Sequence, residues 1–141
     1  MAGASAEWRV RILATAPGHR FLMGSGNLEK FTAYQKALEL FDLVVQDVGH
    51  SLKDRRVERL VSQQLASADS ICSNIEEGYG RQSTTEYRRF LIIARGSLRE
   101  TQGRYKRLRH WLSEEVVNER VKLAEEINRI LSATIKRLES R

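Results

Sequence analysis

The stretch Ser70–Glu100, SICSNIEEGYGRQSTTEYRRFLIIARGSLRE, contains the end of one amphipathic segment, a glycine-bearing turn and the start of another. Ile71 and Ile75 before the turn, and Tyr87, Leu91, Ala94 and Leu98 after it, recur three and four residues apart. That spacing places apolar side chains on one face of an α-helix, so the stretch reads as two helices joined by a short reversal. Gly78 and Gly80 are expected to stop the first helix, because glycine takes the left-handed cap conformation without a Cβ clash. Ser83-Thr84-Thr85-Glu86 reads as a capping box, in which the Ser83 hydroxyl and the Glu86 carboxylate satisfy amides that the first turn leaves open.

The same period extends in both directions. Tyr34, Ala37, Leu40, Phe41, Val44 and Val48 predict an earlier helix that Gly49 and residues 51–54 interrupt. A second runs from about Asp54 through Val57, Leu60, Val61, Gln64 and Ala68 into the Ser70 stretch. The third continues through Thr101, Tyr105, Leu108 and Leu112. A fourth starts near Ser113, with Glu114 and Glu115 at the positive end of its dipole, and carries Val117, Val121, Ala124, Ile127, Leu131, Ile135 and Leu138 on one face. No strand alternation competes. Four such helices with short links bury their stripes as an all-α, antiparallel up-down four-helix bundle, expected over residues 28–141. Residues 1–27 differ: Pro17, Gly18, Gly24, Gly26 and the small residues Ala2 to Ala6 predict a flexible N-terminal arm, within which Met23 reads as an alternative start.

Composition narrows the function classes. The chain has 141 residues, one cysteine and a net charge of +6. No apolar run is long enough for a membrane-spanning helix, so no membrane partner is expected. The lone Cys72 cannot close an internal disulfide, which fits the reducing cytoplasm. His19, His50 and His110 stand far apart, without metal-ligand spacing, and no metal or cofactor is expected. Asn74, Glu76 and Glu77 are the tight polar cluster that could invite acid–base chemistry. They adjoin a helix end without a nearby His, Lys or phosphate loop, so the expectation is a protein that is not an enzyme. Glu77 is expected to pair with a basic residue such as Arg81 or Arg95.

The charge is uneven. Residues 81–110 carry nine Lys and Arg against two acids, a net +7, whereas residues 31–80 sum to −3. Such a concentration calls for an anionic partner. On a helical projection Arg88, Arg95, Arg99 and Lys106 form one ridge, able to follow a nucleic-acid backbone without reading bases. With Arg81 and Arg89 they are the candidate nucleic-acid-binding residues. The competing bland role is a solvated face or ion pairs to the acids of the fourth helix. Ile92, Gly96 and Gly103 fall nearly opposite the core stripe. Two glycines inside a helix each cost about 1 kcal/mol relative to alanine. A groove there is expected to admit another chain closely.

Ser70-Ile71, Asn74-Ile75-Glu76-Glu77-Gly78-Tyr79-Gly80-Arg81, Ser83, Glu86, Phe90-Leu91 and Ala94-Arg95-Gly96-Ser97 to Glu100 together resemble the signature of a bacterial four-helix bundle family. That family includes proteins encoded in the intervening sequences of 23S ribosomal RNA genes. The resemblance runs from about Leu28 to Leu138 and includes Tyr34-Gln35-Lys36-Ala37. Glu76 departs from it, standing where the family usually has a small residue, and the arm before Leu28 is longer than typical. The resemblance implies a homopentamer with a basic surface. Related accessory proteins of diversity-generating retroelements bind nucleic acid and a reverse transcriptase, which makes these the implied partner classes here.

Overall fold

The computed structural model describes residues 27–49 and 54–140. Helix α1 spans Thr32–Gly49, α2 Glu58–Tyr79, α3 Thr84–Arg107 and α4 Glu114–Glu139. Short 3-10 turns at Arg55–Val57 and Leu108–His110 lead into α2 and out of α3. No strand occurs among the described residues. The helices belong to a compact unit of residues 32–141, while residues 27–31 fall in a separate one and form turns, with the Phe31 amide donating to the Leu28 carbonyl at 3.0 Å. Apart from Asn27, the expected arm and the Met23 start lie outside the described residues.

Each helix packs on its neighbours in chain order, and α1 closes the ring against α4. Cross-links between partners run antiparallel. On the α3–α4 seam Arg88 meets Glu139, Arg95 meets Ser132 and Gln102 meets Val121, sequence numbers rising on one helix as they fall on the other. The core consists of the stripes read from the sequence: Tyr34, Leu40, Ile71, Ile75, Leu91, Leu98, Tyr105, Leu108, Ile127 and Leu131 are fully enclosed. Phe41, Leu60, Val61, Tyr87, Leu112, Val121 and Leu138 sit at its margin, half-buried.

The ends of the helices differ in part from expectation. Ser83 caps α3 as read, its hydroxyl accepting from the Glu86 amide at 3.2 Å. The Glu86 carboxylate, expected on the Ser83 amide, accepts from Arg89 instead at 3.1 Å. Ser113 caps α4 through the Val116 amide at 3.2 Å. Asp54 caps the turn into α2 by accepting from the Arg56 amide at 2.9 Å, and it also accepts from the Trp111 indole at 3.3 Å. Hydrogen bonds from Arg56 hold the Asp54 carboxyl well below the usual carboxylate range.

The glycine stop holds at Gly80, which follows Tyr79 as the cap of α2, and is corrected at Gly78 and in the cap's conformation. α2 continues through Gly78, and Gly80 has φ −74°, so its cap is right-handed. Gly78 is needed for proximity. A Cβ there would stand 2.7 Å from Phe90 Cβ and 3.1 Å from Tyr87 Cδ2, so the bare backbone lets α3 cross α2 at the turn.

Candidate nucleic-acid interface

α3 presents its core stripe to the bundle and the rest of its circumference to seams and solvent. The six cations singled out there have different surroundings. At the α2–α3 turn, Arg81 is ion-paired with Glu77 one helical turn away, and Arg89 with Glu86. Both guanidiniums also lie over the Phe90 ring, at 5.2 Å and 4.7 Å from its centroid. Each therefore has an acid and an aromatic face as partners, which reduces the field it offers to solvent. Arg88 approaches Glu139 at 3.8 Å, and Arg95 donates to the Ser132 hydroxyl at 3.2 Å. The expected ridge is thus partly absorbed by the seam with α4. Arg99 and Lys106 are exposed and make no ion pair among the described residues. Free positive charge shifts toward the C-terminal half of α3, where Arg107 is exposed as well.

The motif residues around Asn74 have structural roles. The Asn74 amide donates to the Ser70 carbonyl at 2.8 Å and the Ser70 hydroxyl at 3.0 Å, and that hydroxyl meets the Ser97 hydroxyl at 2.8 Å. Asn74, Ser70 and Ser97 therefore join the two halves of the motif across α2 and α3. Glu77 takes Arg81, as one of its two expected pairings. Glu76, the departure from the family pattern, accepts the Tyr34 hydroxyl at 2.7 Å and so binds α1 to α2. Cys72 is buried, and that burial pushes its thiol up to about 12, which leaves it protonated and inert.

The glycine groove divides. Gly96 is exposed, and an added Cβ would meet nothing within 4 Å. Gly103 is half-buried, with Arg107 Nη1 at 3.5 Å from where its Cβ would be, so the Arg107 side chain lies back across it. Ile92 is half-buried and its neighbour Ile93 is 40% exposed.

Two buried polar clusters escaped the sequence reading. Arg120 of α4 donates to Asp47 of α1 at 2.8 Å and 3.1 Å, and the Tyr105 hydroxyl of α3 donates to the same carboxylate at 2.7 Å. Burial opposes the charge of Arg120, but Asp47 outweighs it and the guanidinium pKa is raised. Burial and the adjacent Asp47 charge push the Tyr105 phenol far up. Arg120 stands three residues after Val117 and four before Ala124, at core spacing. Asp47 stands three after Val44, so an acid and a base at core positions of two helices were the available signal. The other cluster joins α2 to α3. Gln64 Nε2 donates to the Thr101 carbonyl at 2.9 Å, Ser67 and Thr101 hydroxyls meet at 2.7 Å, and Arg104 Nη1 donates to Gln64 Oε1 at 2.8 Å and Ser67 Oγ at 2.9 Å.

An up-down bundle of four helices with a basic third helix, its turn held by Gly78 and a serine–asparagine bridge, defines a class of small helical proteins. The model of the 23S rRNA-intervening sequence protein family matches residues 29–133, and the chain belongs to that family. A solved structure similar to this chain is that of a protein of unknown function from the S23 ribosomal protein family of Bacteroides thetaiotaomicron. It is 25% identical, with a TM-score of 0.69, and the match covers 74% of this chain and 99% of that one. No curated protein matches the sequence. No helix among the described residues is long and apolar enough to cross a membrane.

Proposed function

We propose that this protein is a non-catalytic, homo-oligomeric bundle that binds nucleic acid, RNA or another structured form, through the basic third helix. The observation that carries this reading is the net +7 of residues 81–110, together with Arg99 and Lys106, which expose their charge with no acid partner among the described residues. Phosphate neutralisation by such residues supplies sequence-independent affinity and strong salt dependence. The family description, with its reference to 23S rRNA, supports RNA as the partner class. The engagement of Asn74 and Glu77 in helix-to-helix and helix-end bonds supports a structural role for the motif over a catalytic one.

Assembly, expected as a pentamer, is the second half of the proposal. Gly96 is exposed and a Cβ there would meet nothing within the chain, so this bare stretch of α3 beside Ile92 is where a second copy is proposed to pack. Five copies of a +6 chain would carry about +30, which strengthens multivalent attraction to a polyanion.

The test is a double variant, Arg99→Ala with Lys106→Ala, titrated against a structured RNA at several salt concentrations. Affinity is expected to fall and the slope of log K against log salt to become shallower by about 2. Unchanged affinity and slope would remove the reading. A second reading, an adaptor ring docking a partner enzyme such as a reverse transcriptase, draws on the exposed Ile93. Under it, Ile93→Asp abolishes binding to a purified reverse transcriptase encoded nearby, while the double variant above has no effect.

A further inference from the structure

Three aromatic side chains gather at the α2–α3 turn: Tyr79, Tyr87 and Phe90. Gly78 brings them together. A Cβ there would lie 2.7 Å from Phe90 Cβ and 3.1 Å from Tyr87 Cδ2, so both α3 side chains close on the end of α2. Tyr79, the last residue of α2, stands edge-on to Tyr87, with ring centroids 6.3 Å apart and planes at 81°. Tyr87 and Phe90 are half-buried. Tyr79 is 39% exposed, one of three large hydrophobic side chains left so open among the described residues. Packing of the bundle therefore uses Tyr87 and Phe90 and leaves much of the Tyr79 ring in water.

The Arg81 and Arg89 guanidiniums stand over the Phe90 ring of this cluster. Glu77 and Glu86 compensate their charges, yet the two arginine side chains remain 47% and 59% exposed. A guanidinium is a plane as well as a charge. An ion pair weakens its field and restrains its position, but leaves it able to stack. Bases of single-stranded nucleic acid stack on aromatic rings and on arginine planes alike. The turn also opens the segment 81–110, whose net +7 draws a polyanion. Nucleic acid is the polyanion that carries flat rings, and these are open for stacking wherever its bases are unpaired.

We infer that Tyr79, Arg81 and Arg89 form a stacking platform at the α2–α3 turn that takes the unpaired bases of a single-stranded nucleic-acid segment. This rests on the nucleic-acid reading and adds to it a contact with bases instead of phosphates. Arg99 and Lys106 then attract the backbone of any nucleic acid, whereas the turn engages bases that a duplex keeps paired.

The experiment uses the full chain and two labelled probes, read by anisotropy at several salt concentrations: a single-stranded oligouridylate and a long RNA duplex. Tyr79→Ala is expected to weaken oligouridylate binding roughly tenfold, the scale of one lost base stack, with the salt slope and the duplex affinity unchanged. Tyr79→Phe, which keeps the ring, should bind as the parent does. Arg81→Lys with Arg89→Lys keeps both charges and removes both planes. That pair is expected to weaken oligouridylate binding severalfold at an unchanged slope, and it serves as the test if Tyr79→Ala does not fold. Folded variants with undiminished oligouridylate affinity overturn the platform, and intact duplex binding in them leaves the α3 reading standing. An equal loss on both probes also overturns it, since the duplex offers no unpaired bases. A parent chain that binds neither probe removes the nucleic-acid reading and the platform together. A change of oligomer mass in Tyr79→Ala assigns the exposed ring to a second copy and overturns the proposal.

Discussion

Gly78 of α2 and Phe90 of α3 are in backbone-to-side-chain contact: a Cβ on Gly78 would fall 2.7 Å from Phe90 Cβ. Real Cβ atoms do not approach that closely, and Phe90 Cβ is tied to its own backbone, so relief requires α3 to move. The crossing of the two helices at their turn, and with it the placement of the whole basic helix, depends on this missing methyl.

Gly78→Ala is therefore expected to destabilise the bundle by about 1–3 kcal/mol through overpacking, despite the better helix propensity of alanine. Urea denaturation of the two chains measures this. A variant as stable as the parent would mean that the helices separate without penalty.

Gly96 is the matched contrast, since nothing lies within 4 Å of its added Cβ. Gly96→Ala is expected to stabilise the single bundle by about 0.5–1 kcal/mol. Gly96→Leu should leave the helical content unchanged and reduce the oligomer mass in light scattering if a second copy packs there. Full-size assembly in that variant would move the interface elsewhere.

Asp47→Asn removes the counter-charge of buried Arg120 and disturbs the Tyr105 bond. Breaking one side of a buried pair costs about 3–5 kcal/mol. Replacing both partners, Asp47→Leu with Arg120→Met, should recover most of it, since the unpaired charge goes with the pair. A double-mutant cycle in urea reads the coupling.

Cys72 makes stability pH-dependent at alkaline pH. Its folded pKa is raised from 9.0 to about 12, so between these values the unfolded chain releases a proton that the folded chain keeps. Stability from this group is complete below pH 9 and falls as pH rises toward 12. Cys72→Ala is expected to flatten the decline that begins near pH 9, and native Cys72 should resist alkylation at pH 8 until denaturant is added.

Most of the helical architecture was legible because burial in a bundle imposes a period on each helix separately. The stripes through Leu40, Ile71, Leu98 and Leu131 needed no partner to be recognised. Caps at Ser83 and Ser113 were legible for a similar reason, as a hydroxyl three residues before an amide is a local arrangement. Gly80 was read correctly as the end of α2, though with a right-handed φ, whereas Gly78 was misread as a terminator because glycine serves both flexibility and close approach, and which one operates depends on Phe90, a residue on the next helix. The candidate surface was legible as a net charge and not as a site. Arg81, Arg88, Arg89 and Arg95 carry the same formal charge as Arg99, but their fields are reduced by Glu77, Glu139, Glu86, Phe90 and Ser132, of which Glu77, Glu139 and Ser132 lie on other helices where a projection of α3 alone cannot place them.

By itself the sequence determined four amphipathic helices, their order, a basic third helix and membership of a motif running from Ser70 to Glu100. These follow from neighbours within about a turn of one another and from summed charge. The tertiary structure decided which charges are neutralised and which remain. It gave Arg120 a carboxylate and Arg104 only neutral oxygens, and it turned Gly78 from a stop into a contact. Electrostatic screening and steric contact both act over a few ångströms in space, and residues as far apart as Asp47 and Arg120 meet only once the bundle has closed.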